Sequence, residues 1–276
     1  MKTKLILSRN FRCLLIISLL LTAAMYINLM SSNAFNALRH EKLAELMTAD
    51  ALSREPTVIK YGIDVSFWQG DIDWSLVAQT RTEFVMIRAG FGAYDDTPMG
   101  VDSRFREYIT GALENGLDIG VYFFSYAETI NDIKEEARFL VDLIKDYRVT
   151  YPVVLDMEET REDYIDCPSE MAESFLEIIM ASGYFPMMYS YKYWLEGNLT
   201  QSVRDKYAVW VAHYDVPATT YRGGNYYMWQ YSDKGRVTGI NGNVDLNIAY
   251  RDFSGYIKRV GLNGLHSRLT NVPISD

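Results

Sequence analysis

YPVVLDMEE, residues 151–159, places three consecutive apolar residues, Val153, Val154 and Leu155, directly ahead of two carboxylates, Asp156 and Glu158. A short apolar run of this kind marks a strand buried on both faces, as in a parallel sheet covered by helices. On a strand, side chains at i and i+2 point the same way, so Asp156 and Glu158 share one face where the strand ends. Two like charges on one inward face cost free energy unless they are used or neutralised, which makes the end of this strand a candidate site.

Runs of the same type recur on either side. Strands are expected near residues 58–66, 84–90, 117–125, 185–190, 208–214, 226–232 and 244–248. Helical patterns lie between several of them: 102–115, with Asp102 as a cap and Gly116 beyond it; 131–147, with Ile133, Ala137, Leu140 and Ile144 on one stripe; and 169–182, with Ser169 as a cap and Gly183 as terminator. Residues 217–225 and 233–243 are rich in Gly and Asn and read as turns, so the last strands are expected to join as hairpins. The fold class is therefore α/β, an irregular, flattened (β/α) barrel resembling a TIM barrel.

The 276 residues, 49% hydrophobic, suffice for one barrel-sized domain. A net charge of −9 with no long basic stretch in the body argues against nucleic acid as a partner. Cys13 and Cys167 are the sole cysteines, so there is neither a disulfide framework nor a thiolate metal site, and His40, His213 and His266 are too scattered for a zinc centre. The 21 Tyr and 5 Trp suit surfaces that hold flat ligands such as sugar rings, with barrel packing as the competing use.

At the N-terminus, Lys2, Lys4, Arg9 and Arg12 precede the apolar run CLLIISLLLTAAMYINLM, residues 13–30, in the order of an export signal. The small residues Thr22, Ala23 and Ala24 offer a cleavage site, but the run continues to nearly spanning length, and an uncleaved membrane anchor with the body outside the cytoplasm is the favoured reading over secretion. Residues 1–30 are thus read as signal peptide or anchor, 31–56 as a linker or stalk ended by Pro56, 57–262 as the catalytic body and 263–276 as a tail.

In barrels of this type functional groups gather at the C-terminal strand ends. Asp64 closes the first strand; Asp156 and Glu158 the fourth; Tyr189, Tyr214, and the pair Gln230 and Tyr231 follow, and Asp245 lies in the last. Four carboxylates with aromatic walls form a glycosidase-like inventory: one acid to protonate a leaving oxygen, others to stabilise positive charge. The competing uses are turn chemistry at single aspartates and a magnesium or calcium ion held by Asp64, Asp156, Glu158 and Asp245.

The motifs YGIDVSFWQGDIDW (61–74), FVMIRAGFG (84–92), NGLDIGVYFFSYA (115–127), YPVVLDMEE (151–159), VWVAHY (209–214) and MWQYSDKGRVTGINGNVDLN (228–247), in this order, resemble those of glycoside hydrolase family 25, the lysozymes similar to the Chalaropsis-type muramidase. The resemblance implies hydrolysis of the β-1,4 bond between N-acetylmuramic acid and N-acetylglucosamine in peptidoglycan, by a monomer that needs no cofactor or metal. It implies Glu158 as general acid, Asp156 as the partner that orients the substrate N-acetyl group, and Asp64 and Asp245 as the rest of an acidic floor. Tyr122, Tyr189, Tyr214, Gln230 and Tyr231 fall where such enzymes line their substrate. A non-catalytic glycan-binding barrel and a hydrolase of another N-acetylated polymer are the alternatives.

Overall fold

The computed structural model describes residues 41–42, 44–158, 167–223 and 225–265. Its strands are β1 (Lys60–Val65), β2 (Phe84–Phe91), β3 (Gly100–Val101), β4 (Asp118–Phe124), β5 (Val153–Asp156), β6 (Pro186–Tyr191), β7 (Ala208–Ala212), β8 (Tyr226–Gly235) and β9 (Val244–Ala249). They form one sheet in the order β1-β9-β8-β7-β6-β5-β4-β2-β3, and pairing of β1 with β2 closes it into a barrel from which only β3 is excluded. From β1 through β2 and β4 to β8 the neighbours run parallel, whereas β9 pairs antiparallel with both β8 and β1. All eight strands read from the sequence are present. The hairpin expectation holds for β8 and β9 but fails for β7 and β8, which are parallel. The crossover runs through residues 213–223, which hold neither helix nor strand, so turn-rich composition marked a connection without fixing its direction.

The strands alternate as their sequences dictate. Along β2, Val85, Ile87 and Ala89 belong to the apolar layer beneath the helices, and Phe84, Met86 and Arg88 take the other face. That layer is completed by α3 (Phe105–Glu114), α4 (Ile130–Ile144) and α5 (Pro168–Ala181), through Tyr108, Ile109, Ile133, Leu140, Phe175 and Ile179, all fully buried. Burying each such side chain stabilises the fold by about 1.5–3 kcal/mol. At the end of the barrel where the parallel strands begin, Phe84 stacks on Tyr151 at 4.6 Å, and Phe253 of α8 (Phe253–Val260) packs on Tyr151 and Phe185 at 5.5 and 5.8 Å. Gly62 makes room for this plug, since a Cβ there would lie 2.5 Å from the Phe84 ring.

Helix caps differ from expectation in detail. The N-cap of α3 is Arg104; Asp102 instead accepts hydrogen bonds from the backbone N–H groups of Phe67 and Arg104 and pairs with Arg88. Cys167 is the N-cap of α5 with Pro168 in the first turn, while Ser169 Oγ accepts from Thr200 N. Gly116 and Gly183 do follow their helices with φ of 77° and 82°, in the left-handed region glycine favours.

Packed residues lie on both sides of the expected body of residues 57–262. The compact unit begins at Ala44, inside the expected stalk. In α1 (Ala49–Ser53) and just before it, Met47, Ala49 and Leu52 are buried, because Tyr227, Tyr256 and Arg251 bind the carbonyls of Ala49, Leu46 and Leu52. These partners lie at the start of β8, in α8 and just after β9, which is the barrel end opposite the C-terminal ends of the parallel strands. The expected tail also starts late: Asn263 is buried, accepts from Phe185 N at 2.8 Å and donates to the carbonyls of Val149 and Tyr151 at 3.1 and 2.9 Å. The export or anchor segment lies outside the described residues, and among the described residues no helix is long and apolar enough to cross a membrane.

Candidate active site

At the C-terminal end of the parallel strands the barrel opens in a cleft of about 220 Å³ to which every barrel strand contributes, through Asp64, Arg88, Tyr122, Asp156, Tyr189, Trp210, Gln230 and Asp245 among others. Glu158, Tyr191, Tyr214 and the exposed Trp68 complete its wall. Register explains the convergence. Asp64 is directly opposite Asp245, Asp156 opposite Tyr189, and Arg88 opposite Tyr122.

Gln230 is the hub of the cleft. Its Oε1 accepts from the hydroxyls of Tyr189, at 2.7 Å, and Tyr214; its Nε2 donates to Asp64 Oδ2 at 2.9 Å and, more weakly, to Asp245 Oδ2 at 3.4 Å. Asn247 Nδ2 donates to the same Asp64 oxygen at 2.7 Å, and its own Oδ1 accepts from Trp210 Nε1 at 2.8 Å. These amides have fixed donor and acceptor ends, so the network dictates which way each one points.

Electrostatics follow from burial. Asp64 is pushed up to about 6 by burial, against the hydrogen bonds from Asn247 and Gln230 that favour its charged form. Burial, and then the Asp64 charge, push Asp245 up to about 8. Asp156 lies well above the usual carboxylate range because it is buried and because Glu158, with which it shares a hydrogen bond, adds repulsion. Burial and the neighbouring carboxylate thus both favour the protonated form of Asp156 and of Asp245. Asp156 Oδ1 is buried without a hydrogen-bond partner among the described residues. Glu158 is the less buried of its pair and stands beside the Tyr191 hydroxyl, which also bonds Tyr214. Burial keeps Tyr122 and Tyr189 neutral, and the Tyr189 hydroxyl donates to Gln230.

Of the nine residues singled out in the sequence, eight line this cleft. Tyr231 does not. It alternates with Gln230 to the outer face of β8, packs on Trp229 at 5.8 Å and lies near Arg81 and Tyr61. Trp210 is inside, edge-on to Tyr122 and tilted against Tyr189, and Trp229 is outside, donating to the His213 carbonyl. Sequence reasoning missed Asn247 and Arg88. Asn247 follows Asp245 by two residues and so shares its face, and Arg88 is a lone charge in an apolar run at the same phase as Met86. Arg88 Nε bonds Asp102 at 2.7 Å, and its charge acts on Asp156, opposing the upward push of burial. Among the described residues no three His, Cys, Asp or Glu side chains are grouped to hold a metal ion.

The model of the glycosyl hydrolases family 25 matches residues 63–240, a range that includes Asp64, Asp156 and Glu158 and stops short of Asp245. The chain is 31% identical to the uncharacterized protein YegX of Escherichia coli O157:H7, over 68% of each sequence. It is equally 31% identical to an autolytic lysozyme of Clostridium acetobutylicum, over 67% of this chain but only 54% of that longer protein. Among solved structures, a bacterial lysozyme from Streptomyces coelicolor superposes with a TM-score of 0.57 at 28% identity, covering 68% of this chain and 90% of the other. With the family model matching most of the barrel and the strand-end carboxylates converging in one cleft, this chain belongs to the glycosyl hydrolases of family 25.

Proposed function

We propose that this glycoside hydrolase is a muramidase that cleaves the β-1,4 bond between N-acetylmuramic acid and N-acetylglucosamine in peptidoglycan. The observation that carries the reading is the grouping of Asp64, Asp156, Glu158 and Asp245 in one aromatic-walled cleft of a family 25 chain. Glu158, at the rim of its pair, gives a proton to the leaving glycosidic oxygen; general-acid help of this kind supplies about 10²–10⁴ in rate. Asp156 offers its unpartnered Oδ1 to the substrate acetamido N–H, which directs the acetyl oxygen toward the anomeric carbon. Asp64 and Asp245, held by Gln230 and Asn247, supply negative charge opposite the oxocarbenium-like centre. Tyr122, Tyr189, Tyr214 and Gln230 shape the sugar site.

The test is digestion of purified peptidoglycan by the wild type and Glu158→Gln, with analysis of the newly formed reducing ends. N-acetylmuramic acid ends from the wild type, reduced by about 10²-fold or more in the variant, support the reading. N-acetylglucosamine ends, or equal release by both proteins, would sink it.

We further propose that residues 1–30 export the body and hold it at the membrane, as their basic-then-apolar order supports. N-terminal sequencing of the protein recovered from cells and from medium checks this. A mature chain in the medium starting just after Ala24 overturns the anchor.

A further inference from the structure

A second cavity, of about 290 Å³, opens beside the cleft at the C-terminal ends of β2 and β4. Phe124 joins the two: it lines the carboxylate cleft and packs at 4.9 Å on Tyr126, which lines the second cavity with Tyr94, Met99, Asp95, Glu135 and Glu136. Glu136 is only 3% exposed, yet its Oε2 has no hydrogen-bond partner among the described residues, while Oε1 accepts from Tyr126 N at 3.2 Å. Burial pushes this carboxyl up to about 7, against hydrogen bonds from Ser125 and from the backbone N–H groups of Tyr126 and Ala127, and no cation lies among the residues acting on it. Space for the carboxyl is built into the backbone. A Cβ on residue 92 would stand 1.8 Å from Glu136 Oε1, so only glycine fits there without a shift.

A buried carboxylate oxygen without a donor, at the base of an acidic cavity walled by two tyrosines and a methionine, matches an alkylammonium group: the methylene stem packs on Tyr94, Met99 and Tyr126, and the charge meets Glu136. A bare metal ion fits less well, because no three ligating side chains are grouped among the described residues. The cavity lies past Phe124, off the sugar cleft, so it receives a branch of the polymer and not a ring in the chain. Peptidoglycan branches at N-acetylmuramic acid into a short peptide whose diamino acid carries a primary amine.

We propose that the Glu136 cavity binds the free primary ammonium of the substrate's peptide branch and so favours strands whose peptides are not cross-linked through that amine. This rests on the muramidase reading above.

The full chain is assayed on soluble glycan-peptide oligomers with free peptide amines, on the same oligomers after N-acetylation, and on peptide-free glycan with and without partial de-N-acetylation of glucosamine. Free peptide amines are expected to raise kcat/KM about tenfold over acetylated ones, mainly through KM, the scale of one charge-assisted hydrogen bond. Glu136→Gln brings that ratio toward one. Should this buried variant fail to fold, Glu135→Gln and Tyr94→Ala at the cavity wall are expected to lower the ratio in its place. Equal rates on free and acetylated peptides, a ratio that survives in every folded variant, or a preference that follows the glucosamine amine overturns the proposal. Absence of muramic acid ends from every substrate, peptide-free glycan included, defeats the cleavage reading instead. The cavity is then decided by NMR titration with Nα-acetyl-lysine amide: saturable shifts at Tyr94 and Tyr126 that Glu136→Gln abolishes support it, and no shifts refute it.

Discussion

Single residues in this site are held by partners that cannot be exchanged cheaply. Asn247 is fully buried and joins Asp64 to Trp210, so Asn247→Ala leaves the buried Trp210 indole N–H unpaired and takes one of two amide donors from the Asp64 oxygen. Leaving the indole N–H unpaired costs about 1–3 kcal/mol. The variant should therefore lose both stability, in a urea titration, and turnover, because Asp64 loses one of its two amide donors. Tyr231 provides the contrast. It shares a motif with Gln230 but lies on the opposite face, and Tyr231→Phe is expected to leave peptidoglycan turnover within about twofold of wild type, whereas Tyr189→Phe removes a donor to Gln230 Oε1 and should lower it by about tenfold. Equal effects of the two substitutions on the measured rate would contradict the placement of either tyrosine.

At the scale of elements, each strand was legible and each connection less so. Apolar runs and the two-residue period identify strands because burial on the barrel's two faces demands them. Direction depends on where a chain returns after a loop, and no local pattern in residues 213–225 encodes that β7 and β8 run parallel. The segment before β1 shows the same limit. It was read as a linker, and its docking rests on distant partners, Tyr227 and Tyr256, whose hydroxyls reach its carbonyls at 2.9 and 2.6 Å. Removal of residues 1–56 exposes the surfaces that cover Met47 and Leu52, at about 1.5–3 kcal/mol for each side chain. A chain starting at residue 57 should therefore unfold at lower urea concentration than one starting at residue 44, and coincident midpoints would show that the docked segment contributes nothing.

For the whole molecule, the buried carboxyls set the dependence of stability on pH. Asp64, Glu136 and Asp245 release their protons in the folded state near 6, 7 and 8, against ordinary values of 3.8, 4.5 and 3.8. Between the ordinary and the folded values the folded chain binds more protons than the unfolded one, so stability falls as pH rises through this window. Thermal scans should show Tm, as far as these groups are concerned, highest at or below about pH 4 and decreasing toward about pH 8. Glu136→Gln should flatten the slope by on the order of 3 kcal/mol across the window; a slope unchanged by the substitution would mean that Glu136 ionises as it does in the unfolded chain. The active cleft and the segment around Met47 to Leu52 lie at opposite ends of the barrel. The sequence alone determined the eight barrel strands, the α/β class and the ends at which Asp64, Asp156, Glu158 and Asp245 lie, since period and apolar runs are local properties carried by neighbouring residues. Only the tertiary structure decided that Asn247 and Arg88 join the cleft, that Tyr231 leaves it and that Glu136 stands buried behind Gly92, because those outcomes depend on register and close approach between strands and helices far apart in the chain.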